Sequence, residues 1–131
     1  MSVQMRHLRV IVINDHLSLL TKTVDMLEYL GHEVSPAESA EKARELLYGQ
    51  GSGFDLAIVD DRMQGIPGAN AAEFVRQYQP EAKVIILSGA PAGEQTAEGI
   101  AKGEKYLKRP LRLKDLQSAV ERALGEDIKE N

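Results

Sequence analysis

Residues 54–65 read FDLAIVDDRMQG. Leu56 to Val59 run without a polar break straight into two aspartates, Asp60 and Asp61. The run is continuous, not alternating, which suits a strand covered on both faces, as the central strands of parallel sheets are. Two further runs share the form. LRVIVI (8–13) leads into Asn14 and Asp15, and KVIIL (83–87) leads into Ser88. HEVSPA (32–37) and EKYLKR (104–109) are more polar, and each contains or abuts a proline, which suits strands at the edges of a sheet.

Helical patterns alternate with these strands. Residues 17–30 place Leu20, Val24, Leu27 and Leu30 on one stripe, and Gly31 marks the stop. Residues 38–48 carry Ala40, Ala43, Leu46 and Leu47, and residues 69–79 carry Ala71, Phe74, Val75 and Tyr78 before Pro80. Residues 112–124 carry Leu113, Leu116, Val120, Ala123 and Leu124 before Gly125. The segment 92–102 is poorest, with Ile100 its only large apolar residue and glycines at 93 and 99. A strand–helix alternation repeated five times predicts an α/β fold. The expected form is a single doubly wound five-stranded parallel sheet with helices on both faces, of flavodoxin-like strand order 2-1-3-4-5.

Composition narrows the function classes. The chain has 131 residues, 43% hydrophobic and 27% charged, which predicts one globular domain with a sizeable core. We place that domain at residues 1–125, with the polar EDIKEN (126–131) as a tail or linker stub. No apolar run approaches the length of a membrane span, and no secretory leader is legible at the N-terminus. Cysteine is absent, so disulfides and thiolate metal sites are excluded, in keeping with the cytoplasm. The net charge is −4, and no basic face with interleaved aromatics suggests direct nucleic-acid binding. The glycine-rich GQGSG (49–53) precedes a strand instead of leading from one into a helix, so it is read as a connection and not a phosphate loop. The three histidines, 7, 16 and 32, are scattered, and none is assigned a metal or catalytic role.

In a doubly wound sheet ligands bind beyond the carboxyl ends of the strands, where the order reverses. Those ends carry Asn14 and Asp15, Asp60 and Asp61, Ser88, and Lys108 or Arg109. Carboxylates from separate strands repel unless a cation lies between them, and a hard divalent ion such as Mg²⁺ takes a few carboxylate oxygens plus waters.

VIVINDH, FDLAIVDDRMQG, VIILSG and YLKRPL, in that order and on those elements, resemble the receiver domain of two-component response regulators over roughly residues 8–124. The resemblance implies that Asp60 is the phosphoacceptor, with Asp61 beginning a solvated loop. It implies Mg²⁺ bound by Asp15, Asp60 and the backbone carbonyl of Arg62, with Asn14 acting through water. Ser88 matches the hydroxyl that engages the phosphoryl group, and Tyr106 the aromatic that switches with it. The family's lysine precedes the proline, a slot filled here by Arg109, and the Arg109–Pro110 bond is expected to be cis. In an extended chain neighbouring side chains point opposite ways, so Arg109 faces the crevice and Lys108 faces away. A one-residue slip in that strand would reverse the two. Arg62 and Ala90 occupy the family's water-gating slots and predict a slowly hydrolysed acyl phosphate.

The implied function is a phosphoacceptor that assists its own phosphorylation and dephosphorylation and is not otherwise an enzyme. Its partners would be a sensor histidine kinase or phosphotransfer protein, and an output domain or effector. The switched surface would comprise segment 92–102, the strand at 104–109 and the helix at 112–124, and it allows a homodimer. Asn14 removes a negative charge from the metal site, and Arg109 replaces an ammonium with a planar guanidinium. Both departures leave open a degenerate receiver that only binds proteins. An aspartate-nucleophile hydrolase on the same fold is disfavoured, because it would carry an aspartate where Arg62 stands.

Overall fold

The computed structural model describes residues 7–49, 53–63, 71–88, 105–108 and 112–125, with the side chains of 88, 105–108, 124 and 125 left out. The expected helix at 92–102, the Arg109–Pro110 bond, Ala90 and the tail at 126–131 lie outside these residues. In chain order the elements are β1 (Arg9–Ile13), α1 (Leu17–Tyr29), β2 (Glu33–Ala37), α2 (Ala40–Gly49), β3 (Leu56–Asp60), α3 (Ala71–Tyr78), β4 (Lys83–Ser88), β5 (Lys105–Lys108) and α4 (Leu113–Gly125). The sheet is parallel and ordered β2-β1-β3-β4-β5, as the sequence predicts.

The continuous apolar runs are buried on both faces. Ile11, Ile13, Ala57, Val59, Val84 and Ile86 pack with Ala43 and Leu47 of α2 and Ala71, Ala72 and Val75 of α3. Val10, Val12, Leu56, Ile58, Ile85 and Leu87 pack with Leu20 and Leu27 of α1 and Leu116, Ala119, Val120 and Ala123 of α4. Alternate residues of each strand therefore feed opposite layers, which is why no polar residue interrupts the runs. β2 is an edge, with Pro36 exposed, as the more polar sequence requires.

Helix ends follow local chemistry. The sequence pattern begins α2 at 38, but Ser39 is its cap: its hydroxyl accepts the Lys42 N–H at 3.0 Å, so the helix starts at Ala40. Leu30, expected on the α1 stripe, is instead the C-cap of that helix. Gly31 follows with φ +97°, and the N–H groups of Gly31 and His32 donate to the carbonyls of Glu28 and Leu27. This paired arrangement closes the helix with a left-handed residue that glycine adopts without strain.

The amino end of the sheet is clasped by side chains. Arg9 lies over the Phe54 ring at 5.2 Å and donates to the Gly53 carbonyl at 2.9 Å. Gln79 accepts the Phe54 N–H at 3.1 Å and donates to the Leu47 carbonyl at 2.7 Å, joining the end of α3 to the end of α2 and the start of β3. Buried His32 accepts the Leu8 N–H through Nδ1 at 3.2 Å, so its proton sits on Nε2. Burial, and then His7, lower its pKa below the ordinary 6.5.

Gly53 has φ +83°, and a Cβ there would collide with the Gln79 carboxamide oxygen, whereas a Cβ at Gly31 meets open space. Gly31→Ala is expected to cost about 1 kcal/mol of backbone strain. Gly53→Ala should cost about 2–4 kcal/mol, because Gln79 must also leave its two hydrogen bonds. Urea unfolding at neutral pH checks both. A second expectation concerns His32. The unfolded imidazole takes up its proton near pH 6.5 and the folded one only at lower pH, so its contribution is complete above about 6.5. It is lost as pH falls through the folded pKa. The urea midpoint should decline from pH 7.5 to 5, and decline less in His32→Gln.

Candidate functional site

The carboxyl edges of β1 and β3 are neighbours. Ile13 pairs with Val59, and the Asn14 N–H continues the ladder by donating to the Ala37 carbonyl of β2 at 3.0 Å. Asn14 and Asp60 are therefore the next register pair, and the strand alternation assigns both to the face of Val12 and Ile58. Adjacent parallel strands lie about 4.8 Å apart, so the two residues stand side by side. Across the sheet, Asp60 is in register with Leu87, and the Asp61 N–H donates to the Leu87 carbonyl at 3.0 Å.

Both residues turn the chain by the same device. Asn14 Oδ1 accepts the His16 N–H at 2.9 Å, and Asp60 Oδ1 accepts the Arg62 N–H at 2.7 Å. In each case a strand-end side chain bonds the backbone two residues on, which bends the chain out of the sheet. His16 caps α1, its ring accepting the Leu19 N–H at 3.4 Å. The loop after Asp60 is pinned by Met63, which is buried in the layer beneath α2 and α3. Gln64 stands where the family usually has proline, and lies outside the described residues.

Asn14 is 0% exposed and Asp60 3%, while Asp15 is exposed. Burying a carboxylate beside other acidic groups is costly, and such groups are retained where they do chemistry. Two polar atoms at this edge, Asn14 Nδ2 and Asp61 Oδ1, are shielded from solvent without a hydrogen-bond partner. Asp61, expected in a solvated loop, is thus half-buried, because the bond from its N–H to Leu87 draws the residue against β4. Backbone register places Lys108 opposite Ser88 with no residue skipped in the described ladder from Ile85–Lys105 onward. The side chains of Ser88, Tyr106 and Lys108, and Arg109 altogether, lie outside the described residues.

The oxygen-only chemistry of Asp15, Asp60 and the Arg62 carbonyl suits a hard divalent cation that keeps several waters and takes one or two carboxylates. Among the described residues no three His, Cys, Asp or Glu side chains group as ligands, so a dedicated all-protein cage is not what this edge offers. The carboxylates at 15 and 60, the half-buried neighbour at 61 and the turn at Asn14 are all at one edge. The sequence marked the carboxylates by strand position. It did not reveal that Asn14 keeps an unpaired donor or that His16 caps α1, although an Asn two residues before a helix cap is a usable signal for that turn.

The family model described as "Response regulator receiver domain" matches residues 10–121. A curated relative, the transcriptional regulatory protein ZraR of Escherichia coli K12, is 29% identical over 88% of this chain, which spans 26% of that protein's length. The crystal structure of a CheY-like response regulator receiver domain protein from Methanospirillum hungatei superposes with a TM-score of 0.80 at 24% identity, covering 96% of this chain and 100% of the other. A CheX-CheY-BeF₃-Mg²⁺ complex from Borrelia burgdorferi superposes at 0.78 with 16% identity, covering 88% of each chain. These structural likenesses establish the fold. Among the described residues no helix is long and apolar enough to cross a membrane.

The donor set makes a prediction for metal binding. Asp15→Asn should weaken Mg²⁺ about tenfold, and Asn14→Asp should tighten it by a similar factor through added charge. Asn14→Asp should also melt lower than wild type without metal and recover when Mg²⁺ is added. Calorimetric titration and thermal melts with and without Mg²⁺ measure both; equal melting temperatures in all three proteins would count against a cation site here.

Proposed function

The chain belongs to the response regulator receiver domain family, and on that footing we propose that it accepts a phosphoryl group on Asp60 and thereby switches a protein-binding surface. The observation that carries this reading is the placement of Asp60. It is a buried carboxylate at the carboxyl end of a central strand, beside the switch point, oriented by the Arg62 N–H.

The donor in this reading is a phosphohistidine of a histidine kinase or phosphotransfer protein. A carboxylate oxygen of Asp60 forms a bond to phosphorus as the phosphorus–nitrogen bond breaks. The imidazole leaves with the bonding electrons and takes up a proton, and the product is an acyl phosphate. Ser88 hydrogen-bonds the phosphoryl oxygens, and Arg109 faces them with a charge held at every accessible pH. Asp15, Asp60 and the Arg62 carbonyl would hold Mg²⁺, with Asn14 acting through water, and the ion would supply charge neutralisation. The magnesium-containing Borrelia complex supports that expectation. Tyr106 reports the state of Ser88, and the surface of segment 92–102, β5 and α4 carries the output, including a homodimer contact. The output domain or effector and a cytoplasmic setting are part of the same reading, as is a receiver spanning 1–125 with a tail after it.

A second reading, a degenerate receiver that binds proteins without phosphorylation, is favoured by one observation: the buried residue beside Asp60 is an amide where a carboxylate is usual. The two readings part on one experiment. Incubation with acetyl phosphate or phosphoramidate and Mg²⁺ should add one phosphoryl group to wild type by mass spectrometry and none to Asp60→Asn. No uptake in wild type supports the degenerate receiver, and unchanged uptake in Asp60→Asn moves the phosphoacceptor elsewhere.

A further inference from the structure

Asn14 holds a constraint that a carboxylate in its place would not. Its Oδ1 accepts the His16 N–H at 2.9 Å. That bond settles which end of the amide is which, because a backbone N–H requires an acceptor. Nδ2 is therefore directed elsewhere, and it is solvent-shielded and without a partner. An orphaned buried donor is rare and calls for an explanation. Here it belongs to the residue after Ile13, whose register partner Val59 precedes Asp60. Continuing the strand alternation by one residue puts the two on one face about one inter-strand spacing apart.

We propose that the Asn14 amide is a built-in hydrogen-bond donor for an oxyanion carried on Asp60, so that this site holds a phosphoryl-like anion with a weakened need for a divalent cation. The inference rests on Asp60 being the phosphoacceptor. An aspartate at position 14 would face incoming oxyanion oxygens with negative charge, and offsetting the repulsion would call for a bound cation in addition to Arg109. Asparagine removes that charge and presents an N–H group already stripped of water. Hydrogen bonds to charged acceptors are the stronger class, and an unmade one at a buried donor is costly. Asn14 is in this sense a positioning and specificity residue for the anion. Its remaining Oδ1 lone pair leaves the water-mediated contact to a cation intact.

Beryllofluoride is the probe, followed by ¹⁹F NMR titration of the full chain with Mg²⁺ and in Mg²⁺-free buffer. For wild type the affinity ratio between the two conditions should be at least about tenfold smaller than for Asn14→Asp, which keeps the acceptor for His16 and hence the turn. Asn14→Ala, which is as uncharged as asparagine but lacks the donor, and with it the acceptor for the His16 N–H, should bind about tenfold more weakly than wild type without Mg²⁺. The Asn14 side-chain amide resonances should shift on binding, and Asp60→Asn should bind nothing. Equal Mg²⁺ dependence in wild type and Asn14→Asp, with binding retained in Mg²⁺, overturns the inference and leaves Asp60 as the anion site. Equal Mg²⁺-free affinity in wild type and Asn14→Ala overturns it too, since charge removal alone would then suffice. Failure of wild type to bind in either buffer overturns both the inference and the reading of Asp60.

Discussion

The pairing of β1 with β3 on one side and β2 on the other governs everything built on this sheet. β1 is buried on both faces, so it needs a neighbour at each edge and a helical layer on each side. Right-handed crossovers meet that need by sending one helix to one face and the next to the other. The direction in which successive strands are added then reverses between β1 and β3, which stay parallel, and the helices that leave their carboxyl ends diverge. The crevice between them receives whatever those two strands carry at their ends. In this chain it receives Asn14, Asp15, Asp60 and Asp61.

The two ends of the sheet are built for different ends. At the amino edge most polar groups are paired: Arg9 stacks on Phe54 and bonds Gly53, Gln79 bridges two elements, and His32 receives the Leu8 N–H while its Nε2 is shielded without a partner. At the carboxyl edge buried polar atoms stand without partners, and carboxylates crowd together. A fold tolerates such an edge only when the apolar layers supply the stability, and here both layers are continuous from β1 to β4. Asn14 Nδ2 and Asp61 Oδ1, unsatisfied next to the strand-end carboxylates, mark a place that a ligand would complete.

Asn14 shows how one atom alters such a site. Exchanging a carboxylate oxygen for an NH₂ group leaves the turn to His16 in place, because the other oxygen serves it. It removes one negative charge and turns an acceptor into a donor. The consequences for a cation and for an anion run in opposite directions, weakening the first and favouring the second. Family membership fixes the architecture around Asp60, whereas we assign the balance between metal and anion to this chain's own residue.

The sequence by itself determined the layers and which strands are central, because three unbroken β-branched runs admit only doubly covered strands and two polar, proline-marked runs admit only edges; the order among them came from a match to the doubly wound template. It also determined which residues end those strands, and so nearly all of the candidate carboxylates. Side-chain hydrogen bonding was beyond it. That Ser39 caps α2, that Leu30 ends α1 and that Asp61 is drawn against Leu87 depend on backbone groups left over at element ends. Those groups find partners only after the strands have packed. The unpaired Asn14 Nδ2 was decided the same way. Its neighbour across the sheet is Asp60, 46 positions away in sequence and adjacent only through the β1–β3 ladder. Local propensity carries no term for such a distance, so tertiary pairing alone could place a shielded donor beside the carboxylate.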